Sequence, residues 1–261
     1  MKTRIDLNAD VGELPEDRNV DAELLAWITS CNIACGAHAG SEALMRQTVR
    51  LAKQHGVRIG AHPGYADRVN MGRVAQQLED SVLRQLLLDQ VGLLRRICVE
   101  EGAALMHVKT HGALYNQSAR DPRMARVISA AIREISPDLV VVGLAGSEHV
   151  RAARECNLRV VEEVFADRRY ESDGSLTPRT HPQAMITDEQ EALQQVLGLA
   201  REGRVRTREG VWIGLKADTV CLHGDGVQAV EFARRLREAL EKQGIMVSAC
   251  RSGFSPTTLS D

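Results

Sequence analysis

In the stretch Leu105 to Asn116, His107, Lys109 and His111 fall at every second position. A short apolar run without proline, Ala103 to Met106, leads into it. A strand carried through the segment would turn all three side chains to one face. Imidazoles move protons near neutral pH, and an ammonium holds anions. Such groups are costly to bury without partners, so a strand end converging on a polar pocket is favoured over two core histidines beside a chance lysine. Gly112 lets the chain turn, and Asn116 closes the segment before the helical pattern that starts at Asp121.

Further polar residues fall at comparable places. Asp6, Asn8 and Asp10 alternate at the end of a first strand, Asn32 and His38 follow a second, and His62 ends a third. Asp167 and Arg168 follow a sixth strand, and His223 and Asp225 a seventh. Asp10, His38 and His62 are of the types that ligate zinc, iron or manganese. They are spread over three strands, so spacing establishes no metal. The expectation is no resident divalent metal, with Asp10, His38 and His62 as the alternative site. Asp6-x-Asn8-x-Asp10 lacks the glycine and terminal glutamate of an EF-hand loop. Cys35 reads as a small buried residue rather than a nucleophile. Residues 224–229 match GxGxxA, but the next apolar segment, 245–249, is followed by no acidic residue, so they read as a tight turn. No GxxxxGK[ST] occurs, and with it goes a P-loop ATP site.

These residues need elements to position them. Strands are expected at 4–10, 30–34, 57–61, 103–111, 139–144, 159–165, 219–222 and 245–249. Helices are expected at 21–27, 42–55 with Ser41 as N-cap, 79–101, 122–134, 147–156, 188–202 and from 227 on. The first long helix would bury Leu44, Thr48, Leu51 and Ala52; the second Leu83, Leu86, Leu87, Leu94 and Ile97. A polar loop runs from 166 to 182, long enough to suggest function. Repeated strand–helix alternation without a composition break predicts an α/β fold, a (β/α) barrel of seven or eight strands, closed or nearly so. In such a barrel the strand C-termini meet at one mouth, and all the polar residues above should gather there.

The chain has 261 residues and a formal net charge of −2, with 3% aromatics. It suits one barrel domain over 1–261 with a loose tail from about 253. The charge balance gives no basis for nucleic-acid or membrane binding. The six cysteines form no CxxC pair, which fits reduced thiols in a cytoplasmic protein. The opening residues lack a signal-peptide core, and no apolar run reaches about 18 residues.

The blocks 6–13 (DLNADVGE), 30–40 (SCNIACGAHAG), 60–65 (GAHPGY), 107–116 (HVKTHGALYN), 163–168 (EVFADR) and 221–225 (CLHGD) together resemble the 5-oxoprolinase A-subunit family, the LamB/YcsF-type proteins. The resemblance runs from residue 4 to about 245. It implies a barrel of the glycoside hydrolase/deacetylase type and ATP-dependent opening of 5-oxo-L-proline to L-glutamate with partner subunits B and C. ATP would be handled by a partner, since no nucleotide motif is present here. Asp10, His38, His62, Lys109 and His111 are then the expected catalytic residues, with Asp10 and His62 or His38 as general base. Lys109, His111 and Arg168 would hold the substrate carboxylate or the departing phosphate. Asp6, Asn8, Asn32, His107, Asn116, Asp167, Arg168, His223 and Asp225 are expected to line the substrate site. The chain departs from the family pattern at Leu14-Pro15, at Asn70-Met71, at Thr110 and at Val227. Two other readings are a metal-dependent deacetylase acting on a carbohydrate-like substrate and a non-catalytic scaffold protein.

Overall fold

The computed structural model describes residues 4–14, 19–222 and 227–250. Expectations on Pro15, His223, the turn at 224–226 with Asp225, and the tail from about 253 lie outside these residues. In chain order the elements are β1 (Arg4–Val11), α1 (Asp21–Leu25), β2 (Ser30–Ala34), α2 (Glu42–Gln54), β3 (Arg58–His62), α3 (Asp80–Glu100) and β4 (Leu105–Val108). There follow α4 (Gly112–Ser118), α5 (Pro122–Ile135), β5 (Val140–Leu144), α6 (Glu148–Glu155), β6 (Arg159–Phe165) and α7 (Glu189–Glu202). The last are β7 (Arg204–Arg206), β8 (Trp212–Gly214), β9 (Thr219–Leu222), α8 (Val227–Lys242) and β10 (Met246–Val247).

Seven parallel strands close the barrel in the order β1-β2-β3-β4-β5-β6-β9, with β9 pairing back to β1 through Asp6↔Thr219 to Ala9↔Leu222. Strand β10 pairs with β1 only at Arg4 and Ile5. The alternation along β1 shows how the sequence builds this shape. Ile5, Leu7, Ala9 and Val11 are at most 1% exposed and pack outward into the apolar layer under the helices. Asp6, Asn8 and Asp10 face the axis, where their partners come from other strands. Strand β9 repeats the pattern, with Val220 and Leu222 in the outer layer and Thr219 and Cys221 inward. The apolar side chains lie between sheet and helices, each worth about 1.5–3 kcal/mol when fully buried, and the axis is left to polar groups. Ser41, Asp121, Ser147 and Asp188 cap α2, α5, α6 and α7. On α2 the fully buried face is Met45, Thr48, Val49 and Ala52; Leu51 packs against the core partly buried, and Leu44 is half-buried.

Two elements were not expected. Helix α4 is seven residues long, too short to show a helical period. The hairpin β7–β8 alternates exposed arginines about a single buried valine, Val205, which reads as loop. The strand expected to run through His111 ends at Val108, yet the chain stays extended beyond it. Lys109 N–H donates to Ala61 O (2.9 Å) and His111 N–H to Pro63 O (2.8 Å), so the line of β4 continues beside β3. Gly60 is required where these strands touch, because a Cβ there would lie 2.0 Å from His107 Nε2. Among the described residues no helix is long and apolar enough to cross a membrane.

His149, on α6, is 1% exposed and both its ring nitrogens are without hydrogen-bond partners. Burial lowers its pKa to about 4. The native ring is thus neutral at pH 5.5, whereas an unfolded imidazole with a pKa of about 6.5 is mostly protonated there. The unfolded state binds the extra proton, so stability is lost as pH falls below about 6.5. Urea unfolding at pH 7.5 and 5.5 should therefore show the parent losing about 1 kcal/mol more than His149→Leu; equal losses would contradict the assignment.

Candidate active site

Lys109 is 2% exposed and stands at the centre of the barrel's polar axis. Its Nζ lies 3.0 Å from Asp10 Oδ1, 2.9 Å from Glu163 Oε1 and 3.1 Å from Cys221 Sγ. Strands β1, β6 and β9 are thereby tied to the segment following β4. Burial opposes the ammonium, but Asp10 first, then Cys221 and Glu163, outweigh it and hold the pKa well above the usual lysine value. Asp10 shows the mirror effect. Burial would raise its pKa, yet the charges of His62 and Lys109 hold it well below the usual carboxylate range. Asn32 Nδ2 also donates to Asp10 Oδ1 (2.9 Å), which leaves Oδ2 facing His62 Nε2 at 3.2 Å.

Four more groups crowd this point. His62, at the end of β3, donates from Nδ1 to Lys109 O (2.8 Å). His111 places its Nε2 2.8 Å from Met71 O and its Nδ1 2.8 Å from His62 Nε2. His38 is fully buried, stacks on His111 with centroids 3.9 Å apart, and meets Glu13 Oε1 at 3.2 Å through Nε2. Burial and the neighbouring imidazoles push His38 and His111 down to about 3. His62 goes the other way: burial works against its protonation, but the charge and hydrogen bond of Asp10 prevail and raise its pKa. Glu13, His38, His62 and His111 each bring one ligating atom within 4.8 Å of the others, so these are the residues that could hold a metal. The alternative set read from the sequence included Asp10 in place of Glu13 and His111; Asp10 is instead drawn to Lys109.

Asp10, Glu13, His62, Lys109 and His111 line a cleft of about 760 Å³ at the barrel mouth. Asn116 lines it from α4, and Arg73, Arg120, Arg168 and Arg179 bring positive charge to its walls. Arg168 is 3% exposed; its Nη2 donates to Thr177 O (2.6 Å), while its buried Nε has no partner. Burial, helped by Arg179, lowers its pKa to about 10. Its neighbour Asp167 is half-buried and is not among the lining residues, its carbonyl taking Ile186 N–H. Met71 and Thr110, two of the departures from the family pattern, both touch this region: Met71 through the carbonyl that holds His111, Thr110 in the lining.

The expectation that every polar residue meets at one mouth needs correction. Asp6 and His107 line a separate cavity of about 70 Å³ deeper in the barrel, with Ser30, Arg58 and Thr219. Asp6 accepts from Thr29 and Ser30 (2.6 Å each) and from Thr219. His107 donates to Asn32 Oδ1 (2.8 Å). Asn8 joins the two levels, donating to Glu163 Oε1 (2.9 Å) and Thr219 Oγ1 (2.8 Å) and accepting from Asn32 (2.8 Å). The reason is the rise of a strand: inward residues two apart differ by about 6.6 Å along the strand and roughly 5 Å along the axis of a barrel with tilted strands, so only the last of Asp6, Asn8 and Asp10 reaches the mouth. Glu13 and Glu163 carry the site without having been singled out from sequence. Glu163 had a signal, a carboxylate inside the apolar strand β6, which calls for a buried cation.

The LamB/YcsF family model matches residues 5–254 of this chain. A protein of Geobacillus kaustophilus, named as the A subunit of 5-oxoprolinase, is 50% identical over 252 residues, covering 96% of this chain and 98% of that one. The solved lactam utilization protein from Thermus thermophilus is 42% identical with a TM-score of 0.88, covering 94% of this chain and 99% of that one. A T48 deacetylase solved with substrate has a TM-score of 0.50 at 14% identity, over 96% of this chain and 90% of that one. That last likeness is one of fold alone.

Removing the central cation should expose how much the axis depends on it. Lys109→Met leaves Glu163 buried without its counter-charge and Asp10 with His62 alone, so urea denaturation at pH 7 is expected to show a loss of about 3–5 kcal/mol. A loss under about 1 kcal/mol would mean that the two carboxylates are neutral or hydrated in the parent.

Proposed function

This chain belongs to the LamB/YcsF family, and on that premise we propose that it is the A subunit of an ATP-dependent 5-oxoprolinase, a cytoplasmic enzyme that hydrolyses 5-oxo-L-proline to L-glutamate together with partner subunits B and C. The near-full-length likeness to a relative named as the 5-oxoprolinase A subunit carries the reading. The cleft supports it chemically. A five-membered lactam is a poor electrophile, and phosphorylation of its oxygen by ATP gives an imidate that water can attack. This chain has no P-loop motif, which fits ATP being handled by a partner.

In this reading the substrate's carboxylate pairs with Arg168, which lines the cleft. The arginines on the cleft walls favour the extra negative charge of a phosphorylated intermediate. Asp10 and His62 form the proton-accepting pair that directs water to the lactam carbon. Lys109 serves them by keeping Asp10 ionised. Asn116 reaches the substrate from the cleft wall, while Asp6, Asn8, Asn32 and His107 act from below by holding the axis in register.

The test is to reconstitute the chain with its partner subunits and follow glutamate release from 5-oxoproline. Release should require ATP; release without ATP, or none from 5-oxoproline by the complete complex, would refute the reading. Asp10→Asn should lower turnover at least about a hundredfold, since general acid–base groups contribute ~10²–10⁴-fold. Its fold should survive, because Glu163 still neutralises Lys109. Turnover within about threefold of the parent would make Asp10 structural.

A further inference from the structure

We propose that Glu13, His62 and His111, with His38 holding the Glu13 carboxylate in place, form a binding site for one divalent transition-metal ion of the zinc type at the floor of the cleft. This departs from the expectation drawn from spacing alone, and it does not depend on the identity of the substrate.

The argument starts from where the ring protons must be. Nδ1 of His62 faces a carbonyl, Lys109 O, at 2.8 Å, and a carbonyl only accepts. Nε2 of His111 faces another, Met71 O, at 2.8 Å. Those two nitrogens carry the protons, so in the neutral rings Nε2 of His62 and Nδ1 of His111 both present lone pairs. The two lone-pair atoms lie 2.8 Å apart. Two acceptors do not attract each other; something positive must sit at their junction.

One further donor converges on the same junction, and His38 steadies it. Glu13 Oε1 stands 3.4 Å from His111 Nδ1, 3.8 Å from His62 Nε2 and 3.2 Å from His38 Nε2. Ligands about 2.0–2.1 Å from a tetrahedral zinc stand about 3.3 Å from one another, and the separations among His62, His111 and Glu13, 2.8, 3.4 and 3.8 Å, bracket that value. The ring of His62 is nearly perpendicular to that of His111, at 83°, so their nitrogens approach from different directions. The ring of His38 lies parallel to that of His111, with centroids 3.9 Å apart, so it cannot turn a lone pair to the same ion and instead holds the Glu13 carboxylate. Two imidazoles with one carboxylate suit zinc or a neighbouring ion better than calcium or magnesium, which prefer oxygen.

The supporting contacts are those a metal site needs. Each of two ligand rings is oriented by a backbone carbonyl on its far nitrogen. Met71 adopts φ 51, unfavourable for a residue with a side chain, and it is the carbonyl of this residue that holds His111. All three histidines are at most 6% exposed, while Glu13, His62 and His111 still border the cleft. A bound ion would supply Lewis acidity there. Asp10 Oδ2, 3.2 Å from His62 Nε2, would then be the carboxylate left to take a proton from water.

The competing account is a single proton at the junction, shared by His62 with His111 and Asp10. Metal binding to the full chain separates the two without any activity assay. Chain dialysed against chelator and then against Zn²⁺ or Co²⁺ should retain about one ion by elemental analysis. Cobalt should give visible absorption of four-coordinate type, and the melting temperature should rise with metal. His111→Gln and Glu13→Gln, each checked for folding by circular dichroism, should lose that absorption, whereas His149→Leu should keep it. A folded parent that retains less than about a tenth of an ion per chain and shows no melting shift would overturn the site. So would binding that persists unchanged in both His111→Gln and Glu13→Gln.

Discussion

An ammonium buried at the centre of a barrel survives only if carboxylates are brought to it. Taking Lys109 out of water costs several kcal/mol, recovered through charges at close range and through hydrogen bonds that leave no proton unmet. Asp10 from β1 and Glu163 from β6 supply the charges, and Asn8 and Cys221 complete the shell. The consequence for chemistry is directional. Lys109 and Asn32 occupy Oδ1 of Asp10, so Oδ2 is presented to His62. In the proposed reading folding and reactivity rest on the same contact: the ion pair that stabilises the strands also turns Oδ2 of Asp10 toward His62.

Much of this was legible in the sequence, and the reasons are local. Apolar and polar residues alternate along β1, and the bounds of β2, β6 and β9 match those read from composition and period. The repeated alternation of strand and helix gave the barrel. Height along the axis was not legible. The period that turns Asp6, Asn8 and Asp10 inward says nothing about which one lies at the mouth, and Asp6 and His107 belong to a different cavity. Short elements such as α4 carry too few residues to show a period.

The partners of the charged groups were the other hidden part. Glu13 lies 25 residues from His38 in sequence, and Asn8 is 155 residues from Glu163. Spacing cannot join groups across such distances; closure of the sheet does. Arg168, in a polar loop, ends up buried beside the cleft because that loop folds back on itself: Arg168 bridges Met185 and donates to Thr177 O. The fold is shared with distantly similar deacetylases, so the barrel alone does not select a reaction. In the proposed reading the set of charges at its mouth does.

The central claim is that Lys109 is a fixed cation which organises the acid–base pair and does not itself move protons. Nitrogen NMR of the protein labelled with ¹⁵N at lysine Nζ, with the Lys109 signal assigned by its absence in Lys109→Met, reads this directly as a function of pH. The Lys109 signal should stay that of an ammonium past about pH 10.5, the point at which an ordinary lysine is half deprotonated. Deprotonation near neutral pH would make Lys109 the base, and would contradict the account of how the site is built.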